Sequence, residues 1–333
     1  MSGFGFFYGM RFYAIMEVKV VCLYRGEPDL AKHPYQQAGL WGLLNFLLLM
    51  SLFTPFNIVS INFVMVPVLI MATQLQPRLF ALIYALSLAA VWGLTGTVGL
   101  IAILLGLFFL PPAIVMAICY KKRTPARSTL TAGSVAMLFE FLLLLVIGHT
   151  AGMNPIDQLR KLMQESIESL PAIVQTQVNM AEFNVLIEYY IQLIPLLLIS
   201  ASVFYVFVTH GVSRWLLGKM NVHVPGLPPL RTWRMPRFLV LLLLVVTIAE
   251  YSLDFGTNTT WSMIVWNLQP ILTFLFAVQA IGFFFYVAYA KQWPTVLPVM
   301  SIVGLVLFFP LVYLYSIIGM LDVVLPLRKR IAG

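Results

Sequence analysis

Glu140 stands near the middle of the apolar run 129–150, between Phe139 and Phe141, with no basic residue within a helical turn. An ionised side chain at the centre of a membrane helix costs ~2.5–3.5 kcal/mol on insertion scales, so such a residue is a functional candidate by default. Either it is protonated and hydrogen-bonded to a neighbouring helix, or it binds a cation or proton on a path. Nine residues on, His149 ends the same run, as a ligand or simply as a solvated side chain. Glu188 and Gln192 are four residues apart, with Tyr189 beside them, and so share one helix face. With Asn57, Asn62 and Thr95 they would line one outward-facing pocket; the plainer reading is that all five are ordinary interfacial polar residues. Glu250 and Asp254 repeat the four-residue spacing near the end of a later run, and Asn267, Gln269 and Gln279 follow in the next. Hydrogen bonds between helices account for those amides. Asp322 lies close enough to Arg328 for a local, structural ion pair.

Other chemistries leave no trace. There is no HExxH, no Cys/His metal pattern, no GxxxxGK[ST], no GxSxG and no glycine-rich dinucleotide loop. No metal or cofactor is expected, and any ATP hydrolysis coupled to this chain would come from another protein. Cys22 and Cys119, the two cysteines, both fall on the side assigned below as cytoplasmic, which argues against a disulfide. An intramembrane enzyme would have to use Glu140, or Glu250 with Asp254, as acid and base. Nothing in the spacing requires that, and the chain is expected not to be an enzyme.

These residues must be positioned by membrane helices. Of 333 residues 61% are apolar and 10% charged, and the mean hydropathy is +0.94. A soluble domain cannot be built from such a chain, and the expected fold class is all-α, a polytopic helical membrane protein. Apolar runs predict spans at 38–54, 58–73, 79–92, 97–119, 129–150, 186–209, 237–254, 261–290 and 295–320, the second and third short for a ~30 Å hydrocarbon core. The net charge of +8 forms no single patch, which argues against nucleic acid. It instead sets orientation, because Lys and Arg resist translocation. With the N-terminus inside, the inner segments hold 15 of the 20 Lys and Arg. Arg328, Lys329 and Arg330 break the pattern if 295–320 crosses; Pro294, Pro298 and Pro310 would allow a re-entrant element there instead, leaving eight or nine crossings.

The domain organisation follows. Residues 1–37 form a cytoplasmic or interfacial leader and 38–209 a six-span unit. Residues 210–236, with Pro225, Pro228 and Pro229, form a stiff cytoplasmic linker; 237–320 form a unit of two or three spans and 321–333 a basic tail. In the long outer connection, Asn154 and Pro155 supply an N-cap and first position, and apolar residues recur every three to four positions to Leu170. This predicts a surface-lying amphipathic helix over 155–170, a connector or a lid.

The short second and third spans, the turn KKRTPAR at 121–127, MNPIDQLRKLMQESIESL at 153–170, WRMPRFLV at 233–240 and GMLDVVLPLRKR at 319–330 together resemble the bacterial YybS-like membrane proteins over roughly 36–330. That family is distantly similar to the S components of energy-coupling-factor transporters, six-helix proteins that bind a vitamin or metal ion near the outer face. The resemblance implies a substrate-recognition or transport module in a bacterial cytoplasmic membrane. It also implies a partner, a transmembrane coupling protein with two ATPases. S components dock through an Ala-x-x-x-Ala surface early in the first span, where this chain has Ala38 and Gly42. A second ladder, Ala81, Ala85 and Ala89, marks one face of the third span; either ladder also suits ordinary packing inside the protein. The competing expectation is a membrane scaffold in envelope or spore assembly that binds other membrane proteins and no small molecule.

Overall fold

The computed structural model describes residues 34–169, 179–252, 260–325 and 327–332, and among these every regular element is helical. Most of the leader, with Cys22, and also Pro171 and Asp254 lie outside the described residues. The helices are α1 Pro34–Ser51, α2 Asn57–Ser60, α3 Met65–Gln74, α4 Pro77–Thr95, α5 Leu100–Lys121, α6 Ala126–Thr150 and α7 Pro155–Glu168. After residues 170–178 come α8 Met180–Gln192, α9 Ile194–Lys219, α10 Phe238–Ser252, α11 Thr260–Ala290, α12 Val296–Leu307, α13 Leu311–Val324 and α14 Leu327–Ala332. In lipid every backbone polar group must be satisfied within the chain, and helices do that segment by segment.

The first unit packs around α3. Every residue from Met65 to Gln74 is buried, as expected of a helix that is apolar all round, and α1, α5 and α9 pack against it. The enclosed position explains how so short a helix persists in the bilayer. The third span is longer than its hydropathy indicates: α4 begins with Pro77 in its first turn and runs 19 residues. It ends at Gly96, whose φ of 59° favours glycine. The outward surface is apolar, with Val135, Phe139, Val146, Leu241 and Val245 all more than half exposed. Such a surface is lipid-facing in a membrane protein.

Two boundaries differ from the hydropathy reading. α9 continues through the stretch assigned to the linker and stops only at Lys219, with Asn221 at φ 61° just beyond. Arg214 and Lys219 lower the hydropathy without breaking the helix, because long cationic side chains reach the interface. The linker therefore begins at Met220. The ninth apolar run is not one helix: it breaks at Phe308–Pro310 into α12 and α13, of 12 and 14 residues. At 1.5 Å per residue these measure about 18 and 21 Å, each short of the hydrocarbon thickness. The Tyr315 hydroxyl donates to the Ser301 carbonyl at 3.1 Å, tying one to the other.

The tail then returns to the linker. Arg328 Nη1 donates to the Arg231 carbonyl at 2.6 Å, Tyr286 Oη donates to the Arg328 carbonyl at 2.9 Å, and the Arg231 guanidinium lies 3.9 Å from the Tyr289 ring centre. Linker, tail and the Lys291 end of α11 thus share one face, called the linker face below. With the three tail cations on this side, fourteen of the sixteen Lys and Arg among the described residues fall on the linker face, all but Arg160 and Lys161, so the apparent breach of the charge rule disappears. Reporter fusions after Gly333 and within 220–229 are expected to report the same compartment; opposite compartments would restore a ninth crossing.

Candidate functional site

The expected outward-pocket residues are spread across local contacts. Asn62 Nδ2 donates to the Ile58 carbonyl at 2.6 Å and Thr95 Oγ1 to the Val91 carbonyl at 2.6 Å, each within its own segment. Asn57 is exposed at the start of α2. Glu188 is held by Arg160, with Nε and Nη2 donating to its two oxygens at 3.0 and 3.3 Å, so α7 is clasped to α8. α7 has the predicted start: Asn154 accepts from the Ile156 N–H at 3.2 Å and Pro155 follows. Glu140 is half-buried on α6 with no hydrogen bond or ion pair among the described residues, and His149 is exposed in the last turn of that helix.

The two small-residue ladders separate cleanly. Ala38 is 1% exposed, and a Cβ on Gly42 would lie 2.5 Å from Ile83 Cγ2, so this ladder packs α1 on α4 inside the protein. As a docking surface it is corrected: buried residues cannot meet a partner. Ala81, Ala85 and Ala89 are exposed on the opposite side of α4.

Gln192 serves through its backbone. Pro195 lacks the N–H that would join α8 to α9, and the helix breaks at Leu193. Asn267 of α11 spans the break, donating to the Gln192 carbonyl at 2.7 Å and accepting from the Leu196 N–H at 2.8 Å. A buried amide thus satisfies backbone groups freed by the proline and joins the two units.

The densest buried polar chemistry straddles residue 209, where the hydropathy reading ended the sixth span and began the linker. Ser202, Thr209, His210 and Ser213 form a stripe down the buried face of α9, none more than 5% exposed. Tyr120 of α5 shares a hydrogen bond with His210 Nδ1 at 2.8 Å. His210 Nε2, Thr209 Oγ1, Ser213 Oγ and Gln74 Oε1 are buried without a hydrogen-bond partner. A second group joins α1 to α4: Asn45 Nδ2 donates to Ser87 Oγ at 2.8 Å, while Asn45 Oδ1, Tyr84 Oη and Trp41 Nε1 are unpartnered. Gln74 ends α3 and Tyr120 is next to last in α5, so the first group lies in the linker-side half of the bundle. Orphaned polar atoms are costly in so apolar a setting. The sequence carries a signal, the three-residue spacing of His210 and Ser213, but both residues fall just past the apolar run that ends at 209.

Comparison with known proteins places the chain. A family model described as a predicted membrane protein (DUF2232) matches residues 43–323, more than four-fifths of the chain. The chain belongs to the DUF2232 family. It is 22% identical over 228 residues to the Bacillus subtilis (strain 168) protein described as the uncharacterized protein YybS, covering 66% of this chain and 72% of that one. The YybS-like resemblance is thereby borne out. No solved structure matches. In this DUF2232 chain the matched stretch takes in the Tyr120–His210 pair, Asn267 and Asp322, and stops before Arg328.

Arg328 completes a network on the linker face. Its Nε and Nη2 donate to Asp322 Oδ1 and Oδ2 at 2.9 and 2.7 Å, with the two side chains 5% and 0% exposed. Gln279 of α11 donates to Asp322 Oδ2 at 2.6 Å and accepts from the Met235 N–H at 3.1 Å. One ion pair thereby fixes α13, α11, the tail and the linker together.

Proposed function

We propose that this DUF2232 protein is a non-catalytic membrane-embedded recognition or transport module of the bacterial cytoplasmic membrane, with the linker face cytoplasmic. The carrying observation is the buried stripe Ser202–Thr209–His210–Ser213, whose His210 hydrogen-bonds Tyr120, with unfilled hydrogen-bonding capacity on three of its side chains. Polar and ionisable residues inside membrane helices mark substrate or ion paths, because apolar packing would be more stable there. A six-helix unit is what the resemblance to energy-coupling-factor S components implies, and their partner is a coupling protein with ATPases; that resemblance supports the reading. The substrate class is a small polar molecule or cation able to use a hydroxyl and an imidazole together.

The test is thermal stability of the detergent-solubilised protein against a panel of vitamins and metal ions, with mass spectrometry of whatever co-purifies. A stabilising compound is expected whose shift is lost in Tyr120→Phe and His210→Phe and kept in Glu188→Gln, since Glu188 is engaged by Arg160 on α7. A panel without any shift, together with recovery of a stoichiometric membrane-protein partner, would favour the scaffold reading instead.

A further inference from the structure

Two cavities on the linker face adjoin at Arg234. One, of about 590 Å³, runs between α6 and α9, walled by Leu138, Ile199, Val203 and Phe207, with Arg127 and Arg234 among its lining residues. Arg127 is in the first turn of α6 and Leu138 eleven residues further, so the groove extends about 16 Å into the bilayer's depth. Val203 and Phe207 are each about two-fifths exposed, open to the lipid side. The second cavity, of about 430 Å³, is lined by Arg231, Arg234, Arg328, Lys329, Tyr286 and Tyr289.

The charge here is uncompensated. Arg328 is committed to Asp322, whereas Arg127, Arg231, Arg234 and Lys329 have no carboxylate within ion-pairing distance among the described residues. The Arg231 guanidinium stacks on Tyr289 at 3.9 Å, which leaves its N–H edge for an oxyanion. Cations drawn from three separate stretches of sequence, 127, 231–234 and 329, converge only through the fold. An inorganic anion would need the basic cavity alone; the adjoining apolar groove matches an acyl chain. Basic pockets between membrane helices suit anionic lipid head groups.

We propose that the two cavities together hold an anionic phospholipid, its phosphate at Arg231 and Arg234 with Arg127 close to the groove mouth, and one acyl chain along the groove between α6 and α9. The lipid would then bridge the first unit, the linker and the tail.

The experiment compares delipidated full-length protein titrated with phosphatidylglycerol, phosphatidylcholine or inorganic phosphate, read as a shift in thermal midpoint. Phosphatidylglycerol is expected to stabilise the protein, and the other two are not. Arg127→Gln with Arg234→Gln is expected to weaken phosphatidylglycerol roughly 30-fold, from about fivefold per basic residue at a membrane surface. Val135→Trp, which fills the groove, is expected to weaken it while leaving the cations in place. Equal stabilisation by phosphatidylcholine, a full effect from phosphate alone, or unchanged affinity in the double variant would overturn the proposal. Should that variant not yield monodisperse protein, native mass spectrometry of the wild type in an equimolar lipid mixture decides: preferential retention of phosphatidylglycerol supports the site, and equal retention removes it.

Discussion

Asp322→Ala is expected to lower the thermal midpoint of the detergent-solubilised protein more than any other single truncation of a polar side chain. The substitution leaves the buried Arg328 side chain with no counter-charge, and removing one partner of a buried ion pair costs about 3–5 kcal/mol. It also removes the acceptor for Gln279, whose other contacts hold the linker backbone at Met235 and Trp233. The damage should therefore reach the linker, read as faster proteolysis within 220–237. A well-packed apolar replacement of both partners can match or exceed a buried pair in stability. Asp322→Leu combined with Arg328→Met is expected to recover most of the lost midpoint. Wild-type stability in Asp322→Ala would mean that the pair does not hold the unit together.

Gly319→Val tests the same interface by overfilling it. A Cβ at Gly319 would overlap the Phe276 carbonyl oxygen and stand 3.0 Å from the Ala280 nitrogen, both main-chain atoms of α11. Main chain cannot rotate aside, so the helices must separate. Overpacking typically costs 1–3 kcal/mol, and against backbone about 3 kcal/mol or more is expected. Gly211→Ala provides the contrast. That helical glycine has nothing within 4 Å of an added Cβ, and alanine there is expected to be neutral or to stabilise by up to about 1 kcal/mol. Equal midpoints for the two variants would show that α13 is not seated on α11 through Gly319.

Much of the fold was written in the amino-acid order. The apolar runs, the alternation of Lys and Arg, the Asn154–Pro155 helix start and the proline break in the last run all rest on local properties: transfer free energy, capping and a missing N–H. Each depends on a residue and its near neighbours, so each could be read along the chain. Hydropathy misplaced the end of α9 because it treats Arg214 and Lys219 as uniformly polar, when their alkyl stems remain within the helix surface and only their charged ends need water. His210 was consequently set outside the membrane although it is the most enclosed imidazole among the described residues.

The ninth run shows the division most plainly. Composition established that 295–320 is membrane-embedded and that its prolines permit a break, and it left crossing and re-entry open. Tertiary structure decided for return, through bonds that join Arg328 to Arg231 across 97 positions and Gln279 to Asp322 across 43. The same holds for the small-residue ladders: both recur at four-residue spacing, and only packing buries Ala38 and exposes Ala85. Membrane residence is an additive property of side chains, so the sequence alone determined it. Which polar groups meet depends on how helices pair in three dimensions, and that pairing placed Tyr120 against His210 and gathered the uncompensated cations at the linker face.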